Sequence, residues 1–182
     1  FSSSSMVYGN FKSNEVSENT DCDPIGIYGV LKHSCEKIIK SYNHVFGLPY
    51  TIVRPSALYG ERCISRRVGQ IFIESALNNK EIIISGDGDE KLDFTYIDDL
   101  VQGFEKIITS KKSKNEIFNI TYGSARSINE MTKVLKNDFP DIVIKNEKRD
   151  KLTPVRGTLS IKKAKDLLGY NPKWSLENGY PK

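Results

Sequence analysis

Apolar positions along this chain alternate between long stretches with helical spacing and short runs rich in β-branched residues. From Leu31 to Phe46 apolar residues recur at steps of three and four, which predicts a helix over residues 28–46. The run that follows, YTIVRP at 50–55, is short and predicts a strand that its proline closes. A strand placed directly after a long helix is the first indication of an α/β protein.

The same alternation continues to the end of the chain. Polar residues at the predicted helix starts support it, since Asp98 and Ser160 are good N-caps and Ser127 with Glu130 forms a capping-box pattern. The predicted helices are 28–46, 68–78, 98–109, 127–139 and 160–169, and the predicted strands are 1–4, 50–55, 81–85, 94–97, 117–121 and 142–144. The strand at 81–85, with three isoleucines in a row, is predicted to be buried. Strands alternating with helices predict an α/β fold with a mainly parallel sheet.

Composition places the chain among globular proteins of one or two small domains. It has 182 residues, of which 38% are hydrophobic, and a formal net charge of +4. No apolar run approaches the ~20 residues that span a bilayer, so no membrane partner is expected. The lysine-rich tracts at 111–114 and 145–151 are interpreted as solvated surface. No basic stripe is interleaved with aromatic residues, so no nucleic-acid partner is expected.

Cysteine and histidine usage bears on the compartment and on metal binding. The three cysteines, Cys22, Cys35 and Cys63, are scattered and odd in number, and no basic segment opens the chain as a signal peptide would. These features predict a reducing, cytoplasmic environment. With only His33 and His44 available beside the cysteines, no zinc site is expected.

Tyr28 and Lys32 are the most informative chemical pair in the sequence. They lie four residues apart at the start of the first predicted helix and therefore share one helix face. An ammonium beside a phenol favours the phenolate, and with a cationic cofactor it can make a tyrosine a base near neutral pH. The spacing alone also fits an ordinary core tyrosine and a surface lysine. A second pair with this spacing, Tyr8 and Lys12, is interpreted as accidental, because the Gly-Asn sequence after the tyrosine indicates a turn.

Five segments, in order along the chain, resemble motifs of the extended short-chain dehydrogenase/reductase family, and within it the NAD-dependent nucleotide-sugar epimerases and dehydratases. They are FSSSSMVYG (1–9), YGVLK (28–32), VRPSALYGER (53–62), GDGDEKLDFTYIDDLVQG (86–103) and KKAKDLLGYNPKWSLENGY (162–180). The match covers nearly all of the chain and corresponds to the C-terminal half or so of a full-length member. It implies a Rossmann-like parallel sheet, represented here by its C-terminal half only, with a smaller α/β substrate-binding domain.

The same resemblance divides the chain into two domains. Residues 1–60 and 94–122 would form the remainder of the NAD-binding domain, which carries the catalytic residues, and residues 61–93 and 123–182 would bind the sugar nucleotide. No G-x-G-x-x-G turn is present in the sequence to hold the adenosine half of NAD. We therefore expect the isolated 182-residue chain neither to bind NAD tightly nor to turn over substrate.

By resemblance, the catalytic residues are Ser4, Tyr28 and Lys32. Tyr28 would act as the acid/base, and Lys32 would contact the nicotinamide ribose and favour the phenolate. Ser4 would hydrogen-bond the sugar, with a neighbouring serine taking that place if the alignment slips by one. The cofactor implied is NAD, and its predicted binding residues are Tyr28, Lys32, Pro55 and Ser56.

The substrate implied by the resemblance is a nucleotide sugar. Ala57 stands where the family usually has asparagine, and Leu92 stands where it usually has arginine. Because leucine cannot bind phosphate, other arginines are the candidates for holding the diphosphate through bidentate guanidinium contacts. The predicted substrate-binding residues are Ser4, Ser5, Ala57, Arg66, Arg67 and Arg156. Which sugar is used, and which nucleotide carries it, stays open.

The chemistry implied is epimerisation by transient hydride transfer, similar to that of UDP-glucose 4-epimerase. Dehydratases and decarboxylases of the family carry carboxylates just before the V-Y-G triplet, where this chain has Ser5 and Met6. A reductase or dehydratase of a related nucleotide sugar is the alternative enzyme. A non-catalytic, cofactor-sensing relative is the alternative outside enzymes, because fold alone does not decide activity.

A homodimer is expected, since related enzymes pair through the catalytic helix and its neighbour. The predicted helix carries more apolar residues than one face needs, namely Leu31, Cys35, Ile38, Ile39 and Tyr42. The alternative is that both faces of this helix pack within the monomer.

Overall fold

A computed structural model of the chain describes residues 1–63, 65–149 and 153–182. Helices and strands alternate along them. The α-helices are α1 (Ile27–Phe46), α2 (Val68–Leu77), α3 (Ile97–Thr109), α4 (Ile128–Asp138), α5 (Lys162–Leu168) and α6 (Leu176–Gly179). The strands are β1 (Glu15–Val16), β2 (Thr51–Arg54), β3 (Leu58–Tyr59), β4 (Ile82–Ser85), β5 (Lys91–Leu92), β6 (Thr95–Tyr96), β7 (Glu116–Asn119), β8 (Arg126–Ser127), β9 (Ile144–Glu147) and β10 (Thr158–Leu159).

Strand β2 lies between two parallel neighbours. On one side it pairs with β7, with Ile52 opposite Ile117, and on the other it forms a parallel bridge with Ser2. The N-terminal segment continues this pairing, because Ser3 N donates to Val53 O at 2.7 Å. The strand predicted at 1–4 is therefore present as extended chain along β2. This arrangement confirms an α/β fold with parallel strands.

The remaining described strands also pair mostly in parallel. Strand β4 pairs with β9, β3 with β6 and β1 with β10, each in parallel register. The short pair β5 and β8 is antiparallel. Parallel pairing requires crossover connections, and the helices between the strands supply them.

Buried apolar side chains form two large clusters. One packs α2, α4 and α6 against β4 and β6, with Phe72, Ile84 and Met131 at its centre. The other packs α3 and α5 against β2 and β7, with Phe118 at its centre. Tyr59 belongs to the first cluster although it falls in the predicted NAD-binding domain, and residues of α5 belong to the second. The two-domain division stays a prediction.

Several predicted element ends differ from the structure. Asp98 does not cap α3, because the helix begins at Ile97 with Tyr96 as its N-cap, and the carboxylate lies in the first turn. Ser160 does not cap α5 either, since Ile161 is the N-cap and makes no side-chain bond. The strand predicted at 142–144 is β9, shifted toward the C-terminus. The capping box at the start of α4 is confirmed.

Helix α1 presents an unusually apolar exposed surface. Of its residues, only Gly29 and Glu36 are buried. Large apolar side chains that are at least 44% exposed follow one another along it: Ile27, Val30, Leu31, Ile38, Tyr42, Val45 and Phe46. Among the described residues, no helix is long and apolar enough to cross a membrane.

Candidate active site

A cavity of about 690 Å³ opens beside the C-terminal end of β2. Two of its walls come from the N-terminal residues 2–6 and from the turn after β2. The others come from the first turns of α1 and α2 and from β4 and β5. The carboxyl ends of parallel strands are where α/β folds commonly bind ligands. The lining includes Ser2–Met6, Tyr28, Lys32, Pro55–Tyr59, Arg67–Gly69, Ile71, Phe72, Ile83–Ser85, Glu90–Leu92 and Arg156.

Tyr28 and Lys32 lie together on the wall of this cavity. The Lys32 Nζ is 5.7 Å from the centroid of the Tyr28 ring, as expected for two residues one helical turn apart. The same Nζ donates a 2.8 Å hydrogen bond to the Ser2 carbonyl oxygen, which ties α1 to the N-terminal extended chain. The Tyr28 side chain is 51% exposed, so its phenol is open to a molecule in the cavity.

Helix α1 approaches the serine segment closely at Gly29. A Cβ placed there would lie 2.6 Å from the Met6 carbonyl oxygen, closer than real Cβ contacts. The absence of a side chain thus lets the first turn of α1 pack directly on the backbone of the short 3₁₀ turn Ser5–Tyr8. This contact brings Tyr28 and Ser4 to one end of the cavity.

Ser4 and Ser5 are buried at the cavity wall. Ser4 is the N-cap of the 3₁₀ turn, and its Oγ accepts a 3.2 Å hydrogen bond from Met6 N. That bond leaves the hydroxyl proton of Ser4 available to a ligand. Ser5 N donates to Pro55 O at 2.9 Å, so the serine segment is fixed to the turn after β2.

The turn after β2 places Pro55, Ser56 and Ala57 along the cavity. Ala57 has a φ of 34°, in the left-handed region that asparagine and glycine tolerate better than alanine. The asparagine expected there from the family pattern would suit this backbone. The alanine adopts this backbone without the side chain that the family pattern has at this position.

Arg67 and Arg156 supply positive charge to the cavity. The Nε of Arg156 is buried and has no hydrogen-bond partner among the described residues, and an Nη1 lies 3.8 Å from Met6 Sδ. Burial lowers the pKa of Arg156, with Glu90 opposing that shift and the charge of Arg67 adding to it. A buried guanidinium with unused donors favours binding of an anion.

Arg66 lies outside the cavity. Its side chain is 69% exposed and forms an ion pair with Glu74 on α2, with Nη2 3.0 Å from Oε2. The structure thus brings Arg67 and Arg156 of the three candidate arginines to the cavity wall, and directs Arg66 to the surface.

Part of the cavity wall is apolar. Ile71, Ile83 and Leu92 line it, and Ile83 is 51% exposed although a buried strand was predicted at 81–85. That prediction was wrong for one face of the strand, because β4 alternates between buried and exposed residues. A run of three isoleucines hides such alternation, so the sequence offered no signal for this wall.

A buried polar network behind the serines was missed by the sequence reasoning. Glu36 accepts hydrogen bonds from Ser3 Oγ, from Arg54 Nε at 3.0 Å and from Arg54 Nη2 at 2.6 Å. Arg54 Nη1 donates to the Tyr8 hydroxyl at 2.9 Å, which donates to Asn119 Oδ1 at 2.8 Å. An arginine within the apolar run of β2 was the available signal, since a buried cation requires a partner.

Cys22 and His33 lie next to this network, and their ligating atoms and those of Glu36 are within 4.8 Å of one another. Burial raises the pKa of Cys22. Burial, together with the nearby Lys37, lowers the pKa of His33. Because the Arg54 guanidinium already occupies the carboxylate, its charge disfavours a metal cation at this position.

Together these features define an α/β protein with a Rossmann-like arrangement of parallel strands and a Tyr–Lys pair on a cavity wall. Residues 1–121 match the model of the NAD dependent epimerase/dehydratase family. The chain belongs to that family.

Solved structures and curated proteins agree with this assignment. A UDP-glucuronic acid 4-epimerase from Bacillus cereus, in complex with UDP-glucuronic acid and NAD, is 33% identical with a TM-score of 0.94, and the match covers 99% of this chain and 58% of that one. A UDP-glucose 4-epimerase from Thermotoga maritima, with UDP-glucose, is 33% identical with a TM-score of 0.91, and the match covers 99% of this chain and 60% of that one. A protein of Methanocaldococcus jannaschii provisionally named UDP-glucose 4-epimerase is 36% identical, and the match covers 98% of this chain and 58% of that protein.

The chain therefore spans less than two thirds of the length of the relatives it matches, 58% of the archaeal protein.

Proposed function

We propose that the protein, at its natural full length, is an NAD-dependent epimerase of a nucleotide sugar, similar to UDP-glucose 4-epimerase. The observation that carries this proposal is the convergence of Ser4, Tyr28 and Lys32 on one cavity that Arg156, whose buried Nε has no partner among the described residues, also lines. The proposal agrees with the family and with the epimerase names of the relatives.

Tyr28 is the proposed acid/base. Its phenolate takes the proton from the sugar hydroxyl whose carbon is oxidised, and gives a proton back when the opposite stereoisomer forms. Lys32 stabilises the phenolate by charge, and its bond to Ser2 O holds the ammonium in place. Ser4 donates its free hydroxyl proton to the sugar oxygen.

The residues on the cavity wall fit NAD. Lys32 retains two N–H donors beyond its bond to Ser2 O, suited to a ribose diol, and Pro55 and Ser56 present a short turn at the same wall. When bound, NAD would supply reversible acceptance of a hydride, so that the sugar would undergo no net oxidation. The chain's own residues orient the sugar and move its proton.

Carboxylates at the cavity bear on the choice between epimerase and dehydratase. Among the described lining residues, Glu90 is the sole carboxylate, and it forms an ion pair with Arg149 Nε at 2.7 Å. Elimination and decarboxylation need a further general acid beside the sugar. Met6 and Ser5 at the expected positions of such acids support epimerisation.

Arg67 and Arg156 are proposed to bind the diphosphate of the substrate. Their charges lie on the same cavity wall, and the planar guanidinium group matches phosphate oxygens with two parallel hydrogen bonds. Arg66 is not included, because its ion pair with Glu74 directs it away. Ser5 and Ala57 border the sugar in this proposal.

A homodimer formed through α1 is also proposed. The exposed apolar side chains of this helix supply the surface, and a contiguous apolar patch of that kind marks an interface. Ile38→Glu, at a 55% exposed position, should convert the dimer into monomers, whereas Leu77→Glu on α2 should leave the mass unchanged. Light scattering at two concentrations measures this, and a monomeric parent protein would contradict it.

The three free cysteines support a reducing, cytoplasmic location.

The test of the main proposal is a panel of nucleotide hexoses supplied with NAD to the full-length protein. NMR should show a new stereoisomer of one sugar without accumulation of NADH. Tyr28→Phe should abolish turnover while the circular dichroism spectrum stays the same. Net NADH release would instead indicate a reductase, and full activity of the Tyr28→Phe variant would refute the assigned acid/base.

The 182-residue chain alone is proposed to be inactive and to bind NAD weakly. The sequence has no glycine-rich turn for the adenosine phosphates of NAD. Calorimetric titration of NAD into the isolated chain measures this, and micromolar affinity would contradict it.

A further inference from the structure

One buried carboxylate, Glu36, joins the segments that carry Ser4, Tyr28 and the turn after β2. Glu36 lies on α1, four residues after Lys32 and eight after Tyr28, so the three share a helix face. It is 1% exposed, and it is the one charged residue of α1 that is buried. The cavity residues of α1 thus continue into a charged contact beneath the cavity.

The partners of Glu36 are direct sequence neighbours of site residues. Ser3, which donates to Oε1, precedes Ser4, and Arg54, which donates to both carboxylate oxygens, precedes Pro55. The serine segment, the turn after β2 and the catalytic helix are therefore fixed to a single group.

Two hydrogen bonds also connect α1 to the N-terminal extended chain, and successive residues of that chain bond to successive turns of the helix. Lys32 Nζ bonds to Ser2 O, and one helical turn later Glu36 accepts from the Ser3 hydroxyl. The two contacts fix the position of α1 along the direction of the extended N-terminal chain that carries the serines. Apolar packing is non-directional and would not fix that position.

Stability alone does not explain a buried ion pair here. Replacing such a pair by apolar residues of similar volume is often neutral or stabilising. Burial raises the pKa of Glu36, but the hydrogen bonds from Arg54 and Ser3 outweigh it, so that the net pKa lies below the ordinary value and the pair stays ionised. Arg54 is likewise 2% exposed, and its third contact, Tyr8, is the last residue of the 3₁₀ turn.

We propose that Glu36 and Arg54 are positioning residues, which set the distance between the Tyr28 phenol and the Ser4 hydroxyl for proton transfer. The proposal rests on the function proposed above. It assigns no contact with substrate to either residue. Since a misplacement of about 1 Å can reduce a rate roughly a hundredfold, loss of the pair should appear in kcat.

The first experiment compares Glu36→Gln with a matched control, Asp99→Asn. Both remove the charge of a buried carboxylate, but Asp99 accepts from Lys173 N and Trp174 N and does not line the cavity. In the full-length protein, Glu36→Gln should lower kcat by roughly 10- to 100-fold with KM changed less than about threefold. Asp99→Asn should leave kcat of the folded protein unchanged, whatever it does to the melting temperature.

The second experiment separates position from stability. Glu36→Leu combined with Arg54→Leu should remain folded, because no unpaired buried charge is left, yet kcat should fall as far as in Glu36→Gln. Amide exchange of residues 2–6 should rise in both variants but not in Asp99→Asn. A folded double variant with kcat within about threefold of the parent would overturn the proposal.

The two proposals fail in different ways. If the parent protein produces no new stereoisomer, the proposed function fails, and amide exchange still decides whether Glu36 fixes residues 2–6. If the parent is active and Glu36→Gln matches Asp99→Asn in both kcat and amide exchange, the positioning role alone is refuted. Should Glu36→Gln not fold, Ser3→Ala removes a single bond of the network, and unchanged kcat in it would count against the proposal.

Discussion

The Nζ atom of Lys32 lies 2.8 Å from the carbonyl oxygen of Ser2, and this bond joins α1 to the extended chain that carries the serines. The lysine is thereby held beside Tyr28 rather than free in solvent. Because the acceptor is a neutral backbone oxygen, the positive charge of the ammonium is not cancelled. The proposed active site depends on this retained charge.

Lys32→Met should therefore reduce kcat/KM by about 10²- to 10⁴-fold, the usual contribution of assisted proton transfer. Methionine keeps much of the side-chain length and removes the charge. Lys37→Met, at an exposed position of the same helix, is the matched control and should have little effect. Steady-state kinetics of the full-length protein measure the difference, and equal activity of the two variants would show that the ammonium has no catalytic part.

Arg156→Met should weaken binding of the proposed nucleotide-sugar substrate by the full-length protein. Loss of charged hydrogen bonds worth about 1.5–3 kcal/mol predicts an increase in KM of roughly 10- to 100-fold. Arg66→Met makes the same substitution outside the cavity and should leave KM unchanged, because that arginine pairs with Glu74. If Arg66→Met has the larger effect, the assignment of the diphosphate to Arg67 and Arg156 is wrong.

The stability of the fold should fall as the pH rises from about 4 to about 6. Burial raises the pKa of Asp93 to about 6, although backbone N–H groups of Leu159 and Gly123 and the Thr121 hydroxyl favour its ionised form. An unfolded aspartate titrates near pH ~3.9, so between these values the folded state holds a proton that the unfolded chain has lost. The stabilisation is complete below that window and amounts to at most about 3 kcal/mol.

Urea unfolding across this window, compared between the parent chain and Asp93→Asn, measures the effect. Glu18, whose burial raises its pKa, contributes in the same direction, and His33, whose pKa is lowered, contributes in the opposite one. Both are present in each protein and cancel in the comparison. A difference in stability that does not change with pH would contradict the titration of Asp93.

Ala57→Gly should stabilise the chain by about 1 kcal/mol, because glycine relieves the cost of the left-handed backbone at this residue. Ala76→Gly, in the buried face of α2, should instead destabilise it, since glycine weakens a helix and the site loses a packed methyl group. Chemical denaturation of both variants measures the change in the free energy of unfolding that each substitution causes. Destabilisation by both would mean that the Ala57 side chain packs more favourably than its backbone is strained.

The sequence was sufficient to predict the fold class and most of the elements near the site. Helix α1 and strand β2 were visible from spacing alone, and the family resemblance led to Tyr28, Lys32 and the serines. Those positions were predictable because periodicity and short motifs are local properties. Their roles as catalytic and binding residues stay predictions.

Features that depend on distant residues were not predictable in the same way. Nothing local distinguishes Arg66 from Arg67, and it is the ion pair with Glu74 that separates them. The contact of Glu36 with Arg54 joins residues 18 positions apart and needs the packed fold to exist. Ile83 likewise shows its exposed face only once β4 has been paired with β9.

The close approach at Gly29 restricts how this protein can be redesigned. Any side chain at position 29 would collide with the Met6 carbonyl oxygen and push the first turn of the helix outward. A mutant library randomised across 28–32 would therefore return glycine at its second position among all active clones. Attempts to change the ligand preference of the cavity should vary its apolar lining residues, such as Ile71 and Ile83, and keep this junction intact.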